Sequence, residues 1–211
     1  MGGSSEYHLR SIRERFAAIY EQNAWGRGSG VGSLPENNLE YATFLQLFLL
    51  RNSVRSVVDF GCGDWQFSRF INWTKVKYIG IDIVPILIER NQNIFGQEQI
   101  SFEVFHSIDA LPSADLLVCK DVLQHLPNSV VQQYLDVFKS KFKFMLITND
   151  IGPTGYLNRE IEPGGWRTLQ FDRPPFAETA AVVLQWTVHD GGGWTSKATY
   201  LFYGNGPHQD G

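Results

Sequence analysis

The sequence has little cysteine, no long apolar run and no excess of positive charge. Cys62 and Cys119 are the two cysteines of 211 residues, with no CxxC pair and no Cys/His spacing that suits zinc. A disulfide-stapled secreted scaffold and a zinc module are therefore poor readings, and reduced thiols in a cytoplasmic setting are expected. No stretch of eighteen apolar residues occurs, so no membrane-spanning helix is expected. Lys and Arg number 18 against 22 Asp and Glu, a net charge of −4, which leaves no broad footprint for nucleic acid, and none is expected as a partner. The opening Met1-Gly2-Gly3-Ser4-Ser5 lacks the basic-then-apolar layout of a secretion signal and reads as a cloning remnant. There is no internal repeat.

What is present is alternation. Apolar residues at helical spacing run from Glu6 to Ala24 and from Pro35 to Leu50. Short apolar runs follow at Val54 to Phe60, Lys77 to Ile81, Ile100 to Phe105, Asp115 to Cys119 and Lys143 to Thr148, separated by helix-like segments at Trp65 to Ile71, Pro85 to Ile94 and Ser129 to Phe138. Five strands joined by helical crossovers predict one α/β domain with a mostly parallel sheet covered on both faces. Ala181 to Val188 and Ala198 to Tyr203, joined through Asp190-Gly191-Gly192-Gly193, predict an antiparallel hairpin at one edge. Within a single unit from 6 to 211, residues 6–52 read as N-terminal helices with a capping loop, 53–150 as the core, 151–180 as a substrate loop and 181–204 as the edge hairpin.

In such sheets ligands gather beyond the carboxyl ends of the strands. Gly61 and Gly63 stand where the first strand is expected to turn into a helix, and bare backbone there admits a ligand to the amides. Dinucleotide enzymes use a similar loop but place a third small residue where Gln66 stands in Gly61-Cys62-Gly63-Asp64-Trp65-Gln66. Asp59 and Asp64 crowd the loop instead. Acids repel a pyrophosphate and attract a sulfonium and an amino group, which favours S-adenosylmethionine.

With these motifs the chain resembles the class I S-adenosylmethionine-dependent methyltransferases over Val54 to Thr148. The resemblance implies a Rossmann-like seven-stranded sheet of order 3-2-1-4-5-7-6. It implies that Asp82, ending "YIGID" twenty-one residues after Gly61, takes the ribose hydroxyls. "FHSIDALP" with Ser107 and Ile108 resembles the loop over adenine, and "LLVCKDVLQHLP" with Lys120 the segment beside the methyl group. Ile83 and Trp65 complete the expected cofactor contacts, Trp65 standing where the family has its third glycine. Upstream, "WGRGSGVGS" offers Trp25, Ser29 and Ser33 in a backbone nest for the cofactor carboxylate, with Arg27 as counter-charge; a flexible linker is the alternative.

Candidate bases are Asp121, His125 and His189, each with a structural alternative as cap, packed residue or turn. Asp121 with Asn149 and Asp150, at the ends of strands four and five, is an oxygen set that suits Mg²⁺ or Mn²⁺; the alternative is that Asn149 and Asp150 only begin the turn at Gly152-Pro153. The Gly/Pro-rich insertion 151–178 carries Tyr156, Arg159, Trp166 and Arg167, a mixture of flat apolar faces and hydrogen-bonding groups suited to a sugar. With acids rather than lysines expected near the methyl group, a neutral polyol is favoured over an anionic acceptor. "GSGVGS", "CKDVLQHL" and "GGWRTLQFDRPPF" further resemble methyltransferases found with surface-glycan synthesis enzymes, some of them domains of longer polypeptides. The expectation is methyl transfer to a hydroxyl of a sugar or glycan; N- or carboxyl-methylation of another small molecule, an RNA or protein acceptor, and a cofactor-binding but non-catalytic partner subunit are the alternatives.

Overall fold

The computed structural model describes residues 3–152, 154–189 and 192–206. The hairpin residues Asp190 and Gly191, Pro153 of the expected turn, and Met1 and Gly2 of the expected remnant lie outside these residues. Helix α1 (Gly3–Glu21) runs through Gly3 to Ser5 and is followed by α2 (Leu39–Arg51), β1 (Ser56–Phe60), β2 (Lys77–Asp82), α3 (Pro85–Phe95), β3 (Ile100–Val104), β4 (Ala114–Lys120), α4 (Asn128–Lys141), β5 (Phe142–Asp150), β6 (Ala181–His189) and β7 (Trp194–Tyr203). The seven strands form one sheet in the order β3-β2-β1-β4-β5-β7-β6. Pairings β1 to β2, β1 to β4, β2 to β3 and β4 to β5 are parallel, and β7 enters antiparallel between β5 and β6.

Alternation along the strands divides the apolar residues between two cores. Val58, Leu117, Met145 and Ile147 face α1, α4 and the insertion residues Leu169, Phe171 and Phe176. Val57, Leu116, Val118, Phe144 and Leu146 face α2, Trp65 and Trp73. Burial on both sides explains why β1, β4 and β5 carry consecutive rather than alternating apolar residues, at Val57-Val58, Leu116–Cys119 and Phe144–Ile147. The edge strand β6 instead alternates in exposure, and a register shift between Val182 and Leu184 interrupts its ladder.

One crossover differs from expectation. The segment Trp65 to Ile71 is not an α-helix; it holds one short 3-10 turn, Ser68–Phe70. Trp65 has φ +57, outside the helical region, and its ring is buried against Tyr78, Phe95 and Phe102. The Trp73 indole N–H donates to the Ser68 carbonyl at 2.8 Å. Two buried tryptophans thus hold this stretch flat on the sheet, and no helix N-terminus stands behind the Gly61–Gly63 turn.

Candidate active site

Beyond the carboxyl ends of β1, β2, β4 and β5 lies a cavity of about 420 Å³. Its apolar end is formed by Phe16, Phe60, Ile81, Ile83 and Phe105, and its polar end by Lys120, Asp121, His125, Asp150, Trp166 and Lys197. The Gly61–Gly63 turn and Asp82 also line it.

The glycines serve a purpose the sequence did not announce. Gly61 has φ +76, and a Cβ there would overlap Val122 of the loop after β4. Gly63 has φ +54, and a Cβ there would overlap the Ser29 hydroxyl. Both let neighbouring chain segments close on the turn. Ser29 belongs to the loop between α1 and α2: its amide donates to Asp64 Oδ2 at 3.3 Å, and its Oγ accepts the Asp64 amide at 3.1 Å and bonds Tyr20 Oη at 2.8 Å. The nest expected for a cofactor carboxylate is therefore engaged, in part, by this chain's own Asp64. Trp25, Ser29 and Ser33 line the cavity, whereas Arg27 is exposed and lies outside its lining, so the expected counter-charge is not placed there.

Asp59 and Asp82 are both buried, and burial pushes each carboxyl up to about 6 against the hydrogen bonds that stabilise its charge. Asp59 accepts from Tyr78 Oη at 2.5 Å and Ser68 Oγ at 3.4 Å. Asp82 accepts the Gly63 amide on Oδ2 and the Val84 amide on Oδ1, both at 3.0 Å, which aims the carboxylate along the glycine turn while leaving acceptor capacity on both oxygens.

At the polar end a lysine takes the place expected for a metal. Asp150 and Lys197 face each other across the antiparallel β5/β7 pair. Lys197 Nζ donates to Asp150 Oδ1 at 2.6 Å and to Asp121 Oδ1 at 2.8 Å. The other Asp121 oxygen accepts from Lys120 Nζ at 2.6 Å, and Lys120 also donates to the Gly32 carbonyl at 2.9 Å. Gln124 Nε2 and Trp166 Nε1 take Asp150 Oδ2 at 3.1 and 2.8 Å. Asn149, one residue along an alternating strand, is fully buried and does not line the cavity. With an ammonium already between the two carboxylates, the residues do not fit a divalent ion, and no other His, Cys, Asp or Glu group among the described residues is arranged to hold one. The expected Asp121, Asn149 and Asp150 metal set is corrected on that ground. Burial raises the Asp121 carboxyl, but Lys120 and Lys197 outweigh it and hold the group down at about 2. Burial lowers Lys120, whereas Asp121 and Asp150 overcome burial and raise Lys197. The expectation of acids without lysines at this end is also corrected: two cations balance two anions. Lys197 escaped sequence reading; its signal is a lysine inside the apolar strand pattern of "TSKATYLF".

His125 stands in a 3-10 turn, Leu123–His125, so its expected helical spacing from Asp121 does not apply. Its Nδ1 lies 2.7 Å from the Gly165 carbonyl. A carbonyl accepts only, so Nδ1 carries the proton and Nε2 is the basic nitrogen. Burial lowers the imidazole pKa below 6.5 despite the Gly165 bond and the Asp121 charge. The ring packs on Trp25 at 5.0 Å between centroids.

Other expected site residues fall elsewhere. His189 is exposed at the end of β6, packs on Trp194 and does not line the cavity, because strand alternation turns its neighbour Val188 inward instead. Trp65 lies beneath the turn, its indole N–H donating to Tyr78 Oη at 2.8 Å, and touches the second core, not the cavity. Ser107 and Ile108 stand outside the lining, where Phe105 takes the expected place. Of the insertion, Trp166 lines the cavity, Tyr156 packs on it at 5.6 Å, and Arg159 lies 4.8 Å over the Tyr156 ring. Arg167 is fully buried and turned away from the cavity lining.

Among solved structures, the chain is similar to 1,6-didemethyltoxoflavin-N1-methyltransferase of Burkholderia thailandensis, with bound 1,6-didemethyltoxoflavin and S-adenosylhomocysteine, at TM-score 0.65 and 13% identity over 96% of this chain and 92% of that one. Magnesium protoporphyrin IX methyltransferase of Synechocystis PCC 6803 with bound S-adenosylhomocysteine gives TM-score 0.62 and 13% identity over 91% and 98%. The N-methyltransferase NodS of Bradyrhizobium japonicum WM9, in complex with the same product, gives 0.60 and 15% over 92% and 97%. At these identities the likeness shows the fold. No curated protein matches the chain. A family model described as a methyltransferase domain matches residues 36–175, a span holding the Gly61–Gly63 turn, Asp82, Asp121, His125 and Asp150, and the chain belongs to that family.

Proposed function

We propose that this domain transfers a methyl group from S-adenosylmethionine to a hydroxyl of a neutral acceptor, a sugar or glycan, with His125 as general base. The observation that carries the reading is the His125 Nδ1–H donated to the Gly165 carbonyl, which leaves Nε2 basic at the cavity wall. When bound, S-adenosylmethionine supplies an electrophilic methyl on a sulfonium. Asp82 and the Gly61–Gly63 turn would hold its ribose and backbone-facing side, and Phe60, Ile81 and Phe105 its adenine ring. His125 Nε2 accepts the acceptor hydroxyl proton as the oxygen attacks, a contribution of about 10²–10⁴-fold in enzymes of this kind. The Asp121, Asp150, Lys120 and Lys197 side chains sum to no net charge, which suits a polyol better than a phosphate or an ammonium. Tyr156 on Trp166, with Arg159 above, offers the aromatic platform and hydrogen bonds for a sugar ring. The reaction needs no divalent ion and runs in the cytoplasm, either alone or within a longer glycan-synthesis polypeptide.

The test is transfer of tritiated methyl to a panel of rhamnosides, phenols, amines and RNA, with and without a chelator. Label on a glycoside, undiminished by chelation and reduced at least a hundredfold in His125→Gln, is the expected result. N-methylation is the rival arm, since N-methyltransferases stand among the similar structures; label on amines alone overturns the hydroxyl reading. Label on nothing, with cofactor binding intact, identifies a non-catalytic partner subunit.

A further inference from the structure

Residues 164–167 lie as a strap along the turn that carries His125. The Gly164 amide donates to the His125 carbonyl at 2.9 Å, and the Gly165 carbonyl accepts from His125 Nδ1. Trp166 Nε1 reaches Asp150, and the Arg167 amide donates to the Gln124 carbonyl at 3.3 Å. The strap ends in a guanidinium with no exposure to solvent. Arg167 Nη1 donates to the carbonyls of Leu123 and Gln124 at 3.3 and 3.1 Å, and Nη2 to Asn128 Oδ1 at 2.9 Å. It makes no ion pair among the described residues. The balancing charge is Glu160, which favours the Arg167 cation through space and accepts the Asn128 amide, so the guanidinium's own hydrogen bonds go to neutral acceptors and what it holds matters. It holds the carbonyls of a turn of three residues and joins them to the start of α4.

We propose that Arg167 is a positioning residue: by clamping the strap to the Leu123–His125 turn, it keeps the Gly165 carbonyl on His125 Nδ1 and so keeps Nε2 free to accept a proton. The inference rests on the reading of His125 as the base, but its central claim concerns a tautomer and is measurable without turnover. An imidazole not constrained by a partner prefers the proton on Nε2, where it would block the acceptor nitrogen. The Gly165 carbonyl reverses that preference. Because that carbonyl is backbone, its position depends on what anchors the strap on either side, and Arg167 is the nearest anchor with three acceptors.

The experiment is ¹⁵N NMR of the histidine ring nitrogens, above neutral pH, on the full chain with S-adenosylhomocysteine. Wild type is expected to show His125 protonated at Nδ1 and bare at Nε2. Arg167→Lys keeps the cation but cannot span the three acceptors, and Asn128→Ala removes only one of them. In both, the Nε2–H signal should grow and kcat fall tenfold or more, up to about 100-fold for a misplacement of order 1 Å, with KM for the cofactor unchanged. Arg167→Lys and Asn128→Ala proteins that keep the Nδ1–H signature and wild-type kcat overturn the proposal, and so does an Nε2–H ring in wild type, which decides the matter even if a variant fails to fold. Full turnover in His125→Gln would remove the base reading alone and leave the tautomer measurement to judge the clamp.

Discussion

Replacing Lys197 by Met removes the ammonium shared by Asp121 and Asp150 while keeping the length of the buried stem. Two charge-assisted hydrogen bonds, 2.8 and 2.6 Å, are lost at a residue only 3% exposed. At about 1.5–3 kcal/mol each they sum to roughly 3–6 kcal/mol, in line with about 3–5 kcal/mol for breaking one partner out of a buried ion pair. Lys120 still neutralises Asp121, so the lower half of that range, about 3–4 kcal/mol, is expected. For a chain of this length it corresponds to a fall of about 10 °C in Tm. The loss is also pH-dependent. A carboxyl depressed to about 2 contributes stability that is present above its unfolded pKa and lost as pH falls through the folded value. Without Lys197 the depression of Asp121 shrinks, so wild type and variant should differ most above pH ~4 and converge toward pH ~2. Urea unfolding at neutral and at acid pH, read by circular dichroism, measures both. A loss under about 1 kcal/mol at neutral pH, or one equal at both pH values, would refute the ion network as described.

Three other outcomes follow from the same geometry. Gly61→Ala places a Cβ into Val122 at φ +76 and should cost about 2–4 kcal/mol from overpacking and backbone strain, partly recovered in Gly61→Ala/Val122→Ala; a neutral effect in thermal unfolding would contradict the close approach. Asp59 and Asp82, raised to about 6, contribute stability that is complete below their unfolded pKa and lost as pH rises through 6. The cofactor-free protein should therefore lose about 3 kcal/mol per group between pH ~4 and pH ~7, less the opposing change from His125, whose lowered pKa favours the fold above 6.5; a flat urea midpoint over that window would count against the burial of both acids. Asp82→Asn should weaken S-adenosylhomocysteine binding by about 30-fold or more in calorimetry, because an amide offers the ribose one acceptor oxygen in place of two, and unchanged affinity would remove Asp82 from the cofactor site.

The parallel core was legible because strands buried on both faces are apolar nearly throughout, as at Val57-Val58, Leu116–Cys119 and Phe144–Ile147. The turn after β1 was legible as a break in the strand, because two glycines one residue apart just beyond Asp59 have no use in one. The stretch after it misled, since Trp65 to Ile71 reads as helix-like yet packs flat, Trp65 taking a left-handed φ that packing against Phe95 and Phe102 outweighs. Spacing reports periodicity along a chain; it is silent on which neighbours a large ring will find.

By itself, the sequence determined the layers, the strand-end acids and the glycine turn, because burial and backbone freedom are local demands on residue type. Tertiary structure alone decided the charge state and the orientation of the groups at the cavity's polar end. Lys197 meets Asp150, 47 residues away in the chain, across the β5/β7 pair, and Asp121, 76 residues away, because β4 lies beside β5, and the proton on His125 is assigned by a carbonyl forty residues away. Electrostatics at contact distance depends on positions in space, and those exist only once the sheet has closed.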